Sequence, residues 1–314
     1  MKKISLIFLI CLVSTVLAIN VVKATNSITV VDSLNRTVII YHFPPRRVVA
    51  LTPALAETVC SINCTKLVGT VSPVNWPPKL VKMVKEGKIA LVGTFWMPDL
   101  EKIASLKPDV ILADEGSDLR MINVLNNLGI PIVFTKGGLC GTVSCVERDI
   151  LLVGKVLGNQ EASKKIVNYI EGNLTKASTE AMNYTKVKVI MLFYPFTWGI
   201  YAVGNNTFIN DIVTRLNAAN MIEMKGWPRI TKEYLVAKKP DVYVLFAGEK
   251  VNPKVAVKDA LSLGLRARWI CVIYGTASDV TQRPGPRLSK APWILLDVLH
   301  KHENLELGVY CSSG

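Results

Sequence analysis

One stretch of the sequence occurs twice, and it constrains the fold more than any other feature. Residues 99–110 and 231–242 each place a Glu seven residues before a Pro-Asp-Val triplet, and the two copies are 132 residues apart. The two carboxylates are Glu101 and Glu233. Because proline forces the preceding residue out of helical geometry, each copy predicts a short helix that leads into an apolar strand. The repeat therefore predicts two similar lobes, each presenting one such helix.

Strand-like and helix-like segments alternate on both sides of one long helical stretch. The alternation predicts a parallel sheet with intervening helices in residues 25–145 and again in residues 183–314. Residues 146–182 keep apolar side chains at helical spacing, apart from a break at Gly158-Asn159. They predict a rigid connector containing a helix of about 20 residues. We expect an α/β protein with two Rossmann-like lobes joined by one long α-helix.

The first 24 residues are typical of a targeting segment. Lys2 and Lys3 precede an apolar run of 19 residues, and Ala24 offers a small residue for cleavage. The run is long enough to span a bilayer, so a cleaved signal peptide and a retained N-terminal anchor are both open. Either outcome predicts a protein that works outside the cytoplasm, secreted or held at the membrane.

The chain is basic, but its charge is dispersed. The formal net charge of +13 falls to +10 without residues 1–24, which contain three lysines and no acid. No run of five or six like charges occurs, and basic residues are not interleaved with aromatics, which argues against a DNA or RNA partner. A basic surface favours anionic ligands or an acidic cell envelope.

Six cysteines remain beyond the targeting segment, an even number that favours disulfides in an exported chain. The simplest pairing joins the two local pairs, Cys60–Cys64 and Cys140–Cys145, and leaves Cys271–Cys311 to tie the tail to a strand. Buried free thiols are the alternative. A zinc site is a weaker alternative because no Cys-x-x-Cys pair occurs, and we predict no metal site.

Eight short motifs, in the same order along the chain, resemble one protein family. They are Val31-Asp32 with Arg36-Thr37-Val38, residues 47–54 with Glu57, Leu67-Val68-Gly69, Trp76-Pro77-Pro78, Leu100-Glu101 with residues 106–110, Gly204 with residues 207–211, Trp227-Pro228 with Glu233, and Arg283-Pro284-Gly285-Pro286-Arg287. The motifs span about residues 28–302. The family is the cobalamin and ferric-siderophore type of solute-binding protein that serves ABC importers.

The resemblance implies a ligand cleft between the two lobes, which move little on binding. It also implies that one Glu on each lobe docks onto arginines of the membrane permease, and these glutamates fall on Glu101 and Glu233. Two exposed carboxylates at a fixed separation can meet paired guanidinium groups, which gives orientation more than affinity. Alternatively, each Glu only complements the positive end of a helix dipole, worth about 0.3–1 kcal/mol.

A bulky chelate needs aromatic walls and a few polar anchors. Such residues at strand-to-helix junctions are our ligand-binding candidates, with ordinary core packing as the alternative for each aromatic. Family members place cleft aromatics at the positions of Trp227 and Phe95. Arg229, Arg283 and Arg287 offer a bidentate grip on an anionic ligand, with a solvated or structural role as the alternative for Arg283 and Arg287. The candidates are Pro53, Trp76, Phe95, Trp96, Phe196, Trp198, Trp227 and Arg229.

Two departures from the family pattern bear on the ligand. Haem-binding relatives carry a Tyr ligand after the position of Val92-Gly93, where this chain has Thr94-Phe95-Trp96. This difference disfavours haem. Pro73 stands where some cobalamin binders carry an aromatic, which weakens the case for cobalamin without removing it.

An exported α/β enzyme such as a hydrolase is the rival class. Catalysis usually needs a convergent acid, base or nucleophile, and the chain has three histidines and no Gly-x-Ser-x-Gly or His-Glu-x-x-His motif. A stand-alone cell-surface binding protein is a third option, which would need neither Glu101 nor Glu233. We favour a monomeric, non-enzymatic protein that binds a metal chelate, without a cofactor of its own, and delivers it to ABC permease subunits.

Overall fold

The fold is described from a computed structural model, which places residues 26–303 and 308–313. The targeting segment predicted for residues 1–24 lies outside the described residues. Within the described part of the chain, no helix combines the length and the apolar composition that crossing a membrane requires.

The described chain begins with a β-hairpin, whose strands are β1 (Ile28–Val31) and β2 (Thr37–Ile40). Asn35 turns the chain with a φ of 58°, which asparagine tolerates better than most residues. The buried Asp32 carboxylate accepts a hydrogen bond from the Phe134 backbone N–H at 3.3 Å. This bond fastens the hairpin to the lobe that follows.

The N-terminal lobe contains a five-stranded sheet in which every pairing is parallel. Its strands are β3 (Val48–Ala50), β4 (Leu67–Ser72), β5 (Ala90–Thr94), β6 (Val110–Asp114) and β7 (Ile132–Thr135), in the spatial order β5-β4-β3-β6-β7. The helices are α1 (Pro53–Asn63), α2 (Pro78–Lys85), α3 (Leu100–Ser105), α4 (Glu115–Asp118) and α5 (Ile122–Asn126). Strands β3, β6 and β7 are buried along their whole length, as expected where helices cover both faces of a parallel sheet.

Two helices, α6 (Val143–Leu157) and α7 (Gln160–Ala181), connect the lobes. Gly158 ends α6 in the left-handed region, and the Asn159 side chain caps α7 by accepting from the Ala162 N–H at 3.2 Å. The predicted break therefore falls where the structure has it. With 22 residues, α7 is about 33 Å long, and it supplies the long connecting helix.

The C-terminal lobe contains a seven-stranded sheet with a parallel centre and antiparallel edges. Its strands are β8 (Val187–Phe193), β9 (Ile200–Ala202), β10 (Ala218–Asn220), β11 (Arg229–Ile230), β12 (Val242–Ala247), β13 (Trp269–Tyr274) and β14 (Val309–Ser313). The helices are α8 (Phe208–Arg215), α9 (Lys232–Val236), α10 (Pro253–Ser262), α11 (Gly275–Gln282) and α12 (Ala291–Leu296). The spatial order is β11-β9-β8-β12-β13-β14, with β10 paired to β8.

Short helical turns complete the described structure. Five are 3₁₀ turns, and the sixth, which continues α12, is a π turn. They are Cys64–Lys66, Leu119–Met121, Gly137–Leu139, Phe196–Trp198, Pro286–Lys290 and Asp297–Lys301. Residues 286–301 thus form a continuous series of 3₁₀, α and π segments.

Two lobes around parallel sheets, joined by a long helix, confirm the predicted fold class. The limits 25–145, 146–182 and 183–314 stay a prediction, because α6 packs into the cores of both lobes. Val153 lies in the core beneath the N-terminal sheet, whereas Val146 and Ile150 lie in the core of the C-terminal sheet.

Candidate ligand-binding cleft

A cavity of about 680 Å³ opens between the two lobes. Most of its wall is proline, aromatic, small or aliphatic. The residues that line it are Thr52, Pro53, Ala54, Ser72, Pro73, Thr94, Phe95, Trp96, Asp114, Gly116, Ser117, Gly138, Leu139, Trp227, Asp279, Gln282, Arg283 and Pro284. The volume and the apolar wall are those of a small-molecule site.

Strand ends build the N-terminal wall. The parallel strands β3, β4, β5 and β6 end at the same edge of the sheet, and the residues that follow each strand face the opposite lobe. Pro53 illustrates the local rule: Thr52 caps α1 by accepting from the Leu55 N–H at 3.2 Å, and Pro53 occupies the first helical turn. The proline ring is thereby fixed against the cavity.

Phe95 and Trp96 supply the aromatic part of this wall. Their ring centroids are 4.6 Å apart in an edge-to-face arrangement. Phe95 is half-buried against the core beneath the sheet, whereas Trp96 is 64% exposed. The half-buried Phe95 ring therefore supports the exposed Trp96 ring at the cavity wall.

Trp227 faces them from the C-terminal lobe. Its indole Nε1 donates a hydrogen bond to the Gly138 carbonyl oxygen at 3.1 Å, and its ring packs edge-to-face on Phe193 with centroids 5.6 Å apart. With its only polar atom satisfied, the remaining indole surface is apolar and available to the cavity.

Five polar residues from both lobes form a network beside the cavity, which we call the arginine clamp: Glu57, Asn75, Asp279, Arg283 and Arg287. Of these, Asp279 and Arg283 line the cavity. Arg287 donates to both oxygens of the buried Glu57 carboxylate, at 2.9 and 2.6 Å. Arg283 donates to Glu57 at 2.6 Å and to the Asn75 side chain at 2.8 Å, and it pairs with Asp279 at 3.0 Å. Asn75 also donates to Asp279.

Trp76 lies behind this clamp. The Arg287 guanidinium carbon is 5.3 Å from the centre of the Trp76 ring, within the range of a cation–π contact. The half-buried indole therefore packs on the clamp and is not part of the cavity wall.

Asp114 is the acidic group of the cavity floor. Burial raises the pKa of Asp114 to about 6, although backbone N–H groups of Gly138, Gly116 and Ser117 donate to its carboxylate and act in the opposite direction. Asp114 is thus ionised at neutral pH. Its carboxylate fixes the two loops that form the floor.

The structure brings together half of the ligand-binding candidates. Pro53, Phe95, Trp96 and Trp227 line the cavity. The role of all eight in binding stays a prediction. Those outside the lining are Trp76, described above, and Phe196, Trp198 and Arg229 in the C-terminal lobe.

Phe196 packs edge-to-face on Tyr194, with centroids 5.3 Å apart, against the core of the C-terminal lobe. Trp198 is 83% exposed on the loop between β8 and β9. The exposed Arg229 guanidinium lies against Gly199. A Cβ atom built on Gly199 would be 2.7 Å from the Nε atom of Arg229.

The two candidate docking carboxylates occupy equivalent places. Glu101 lies in the first turn of α3 and Glu233 in the first turn of α9, and both are exposed. Asp99 and Thr231 cap these helices by accepting backbone N–H groups at 3.0 and 3.2 Å. The helix N-termini are therefore already capped, so neither glutamate is needed as a cap.

The six described cysteines form three disulfides, Cys60–Cys64, Cys140–Cys145 and Cys271–Cys311. One ligand atom each from Cys140, Cys145 and Asp149 also lies within 4.8 Å of the other two, close enough to share a metal ion. Because both sulfurs are committed to a disulfide, this group is a poor cation site.

The interpretation of the sequence assigned no role to Asp114, Asp279 or Glu57. A signal existed for Asp114, because it ends a buried strand at the edge where ligands bind in α/β sheets. For Asp279 the signal was its position four residues before Arg283, a spacing that pairs opposite charges on a helix. Glu57 is 226 residues from Arg283, and sequence spacing does not reveal that pairing.

Comparisons with known proteins agree with this architecture. The family described as "Periplasmic binding protein" matches residues 48–257. An "Uncharacterized ABC transporter substrate-binding lipoprotein YvrC" of Bacillus subtilis is 26% identical over 268 residues, which are 83% of this chain and 82% of the relative. A "Vitamin B12-binding protein" of Salmonella typhimurium is 22% identical over 212 residues, covering 67% of this chain and 75% of the relative.

A solved structure shares the fold at low sequence identity. It is a "Periplasmic Heme Binding Protein from Pseudomonas aeruginosa", with a TM-score of 0.71 and 19% identity, covering 86% of this chain and 99% of that one. The family match and the substrate-binding lipoprotein relatives show that this is an extracytoplasmic protein. The chain belongs to the periplasmic binding protein family, the substrate-binding components of ABC transporters.

Proposed function

We propose that this protein captures a metal-chelate compound, a ferric siderophore or a cobalamin, outside the cytoplasm and delivers it to the permease subunits of an ABC importer. The observation that carries the proposal is the cavity of about 680 Å³ between two lobes with facing aromatic walls. The protein itself acts as a monomer and performs no chemistry on the ligand. The lobes are proposed to span residues 25–145 and 183–314.

The choice of a fully coordinated chelate rests on the groups that face the cavity. Among the described residues of the lining, the side chains suited to bind a metal are the carboxylates of Asp114 and Asp279. Asp279 is paired with Arg283, and Asp114 is held by three backbone N–H groups. Haem depends on an axial His, Tyr, Cys or Met from its protein. A siderophore or a corrinoid instead brings its own coordination shell, so this lining suits it better.

The experiment is a tryptophan-fluorescence titration. Trp96 and Trp227 line the cavity, so a bound chelate should quench their emission in a saturable way. Cobalamin and ferric siderophores of several types are each added to the purified protein, with haem as a comparison. Tight quenching by one chelate supports the proposal. No response to any of them, together with turnover of some substrate, would overturn it in favour of an exported enzyme.

A further inference from the structure

We infer that Glu57 sets the charge class of the ligand: by neutralising the two arginines beside the cavity, it makes the site select uncharged or cationic chelates over polyanionic ones. The inference rests on the proposed function and adds to it the class of chelate that the site accepts. It also names a residue that acts through others, since Glu57 does not itself line the cavity.

The guanidinium groups of Arg283 and Arg287 are already paired with the Glu57 carboxylate. Arg287 is 4% exposed, and two of its nitrogens contact the two oxygens of Glu57 in a bidentate pair. Arg283 is 15% exposed at its side chain and is shared between Glu57, Asn75 and Asp279. A guanidinium group bound in this geometry has few free N–H donors for a second anion.

The second feature of the site is the charge of its wall. The charged residues that line the cavity in the described structure are Asp114, Asp279 and Arg283. With Glu57 and Arg287 added, three carboxylates face two guanidinium groups. The site is therefore slightly acidic in a chain whose formal net charge is +13. The basic composition, which by itself favours anionic ligands, does not extend into the cleft.

Two exposed cations nearby do not reverse this balance. Arg120 donates to the Trp96 backbone carbonyl, and Arg229 lies against Gly199, but neither lines the cavity. Both guanidinium groups are exposed to solvent, where water and salt screen their attraction for a bound anion.

Moving a charged ligand from water into this cavity costs free energy of desolvation. A polyanionic chelate entering this cavity exchanges water for proline, aromatic and aliphatic surface. Among the described lining residues it finds no free cation to replace the lost hydration. An uncharged chelate with a large apolar face loses little by the same transfer and gains contact with Phe95, Trp96 and Trp227. The wall therefore discriminates by charge.

The test compares chelates that differ mainly in charge. Cyanocobalamin and ferrichrome are uncharged, ferrioxamine B is cationic, and ferric enterobactin is trianionic. The purified protein should bind one of the uncharged or cationic chelates at least about 10-fold more tightly than the trianionic one. Its affinity should also depend weakly on salt. Tightest binding of the trianionic chelate would overturn the inference and leave the proposed function standing. Failure of every chelate would count against the proposed function itself.

Two variants then ask whether Glu57 is responsible. Glu57→Gln and Asp279→Asn each release part of the positive charge of Arg283, and affinity for ferric enterobactin should rise about 10-fold or more. In Glu57→Gln, whose site lies outside the lining, affinity for the preferred chelate should change much less. Asp279 has a 26% exposed side chain, so its variant remains informative if Glu57→Gln fails to fold. Glu161→Gln, on the exposed face of α7, makes the same change in net charge and should leave both affinities alone. Folded variants with unchanged selectivity would overturn the role of Glu57.

Discussion

Trp227 of the C-terminal lobe donates its indole N–H to the carbonyl oxygen of Gly138 in the N-terminal lobe, at 3.1 Å. Both residues line the cavity, so the bond crosses between the lobes at the place where a ligand is expected. The same indole is thus a wall of the cleft and a fixed point in its geometry.

Replacing Trp227 with Phe separates these two roles. Phe keeps an aromatic ring but loses the donor, so we expect ligand affinity to fall about 5- to 10-fold and the free energy of unfolding to fall by about 1 kcal/mol. Fluorescence titration and urea unfolding measure the two effects. Trp269→Phe is a matched control, because Trp269 stacks on His302, away from the cavity. Equal losses in the two variants would contradict the binding role of Trp227.

The repeated Glu and Pro-Asp-Val element and the alternation of strands and helices were enough to predict two α/β lobes. They report local periodicity and helix ends, which a sequence carries directly. Four of the ligand-binding candidates line the cavity, and three of them follow the ends of strands in the N-terminal sheet. The exception is Trp227, whose position came from the family resemblance.

The rest of the site depends on contacts between distant segments. Glu57 and Arg283 are separated by 226 residues, and neither residue's neighbours in sequence indicate the pairing. The position of Trp76 could not be predicted for the same reason. Its place at a strand-to-helix junction suggested the cleft, but its ring packs on Arg287 of the arginine clamp. Trp198 follows a strand end too, but the loop that carries it turns the indole to solvent.

Charge reversal at Glu101 and Glu233 tests docking to the permease. Both carboxylates are exposed in the first turns of matching helices, so the double variant to Lys should fold and bind ligand with unchanged affinity. If these carboxylates dock onto arginines of a permease, uptake of labelled ligand by cells should fall at least about 10-fold, because like charges would then face each other. Glu161→Lys on α7 serves as the control. Full uptake by the double variant would favour a stand-alone binding protein.

The buried carboxylates beneath the cavity predict how stability depends on pH. Burial raises the pKa of Asp118 to about 7 from its ordinary value of 3.8, and the neighbouring Asp114 carboxylate acts in the same direction. Between these values the folded state binds more protons than the unfolded state. Stability is therefore greatest below about pH 4 with respect to this group and is lost as pH rises through 7.

Asp118→Asn should remove this dependence. The Asn oxygen can still accept the hydrogen bond that the Asp114 N–H donates at 2.8 Å. We expect the variant to exceed the unmodified protein in free energy of unfolding by about 4 kcal/mol at pH 8 and by about 2 kcal/mol at pH 5. Urea unfolding at the two pH values measures the difference. Parallel pH profiles of the two proteins would show that Asp118 does not titrate as predicted.

The disulfides should differ in their contribution to stability. Cys271–Cys311 closes a loop of 40 residues between the paired strands β13 and β14, whereas Cys60–Cys64 closes only four. In the chain-entropy view, the longer loop is worth about 4 kcal/mol and the shorter one about 2 kcal/mol. Thermal unfolding of the two double Cys→Ser variants tests this order. A larger loss for the short loop would contradict it.

Trp96 and Trp198 are both highly exposed indoles, but only Trp96 lines the cavity. Each was a ligand-binding candidate from the sequence. If the cavity is the site, Trp96→Ala should weaken ligand binding by about 10-fold through the loss of a large apolar contact, whereas Trp198→Ala should leave it unchanged. Because both rings are largely solvated, neither change should alter the free energy of unfolding by more than about 0.5 kcal/mol. Loss of binding in Trp198→Ala alone would move the site towards the loop between β8 and β9, outside the present cavity.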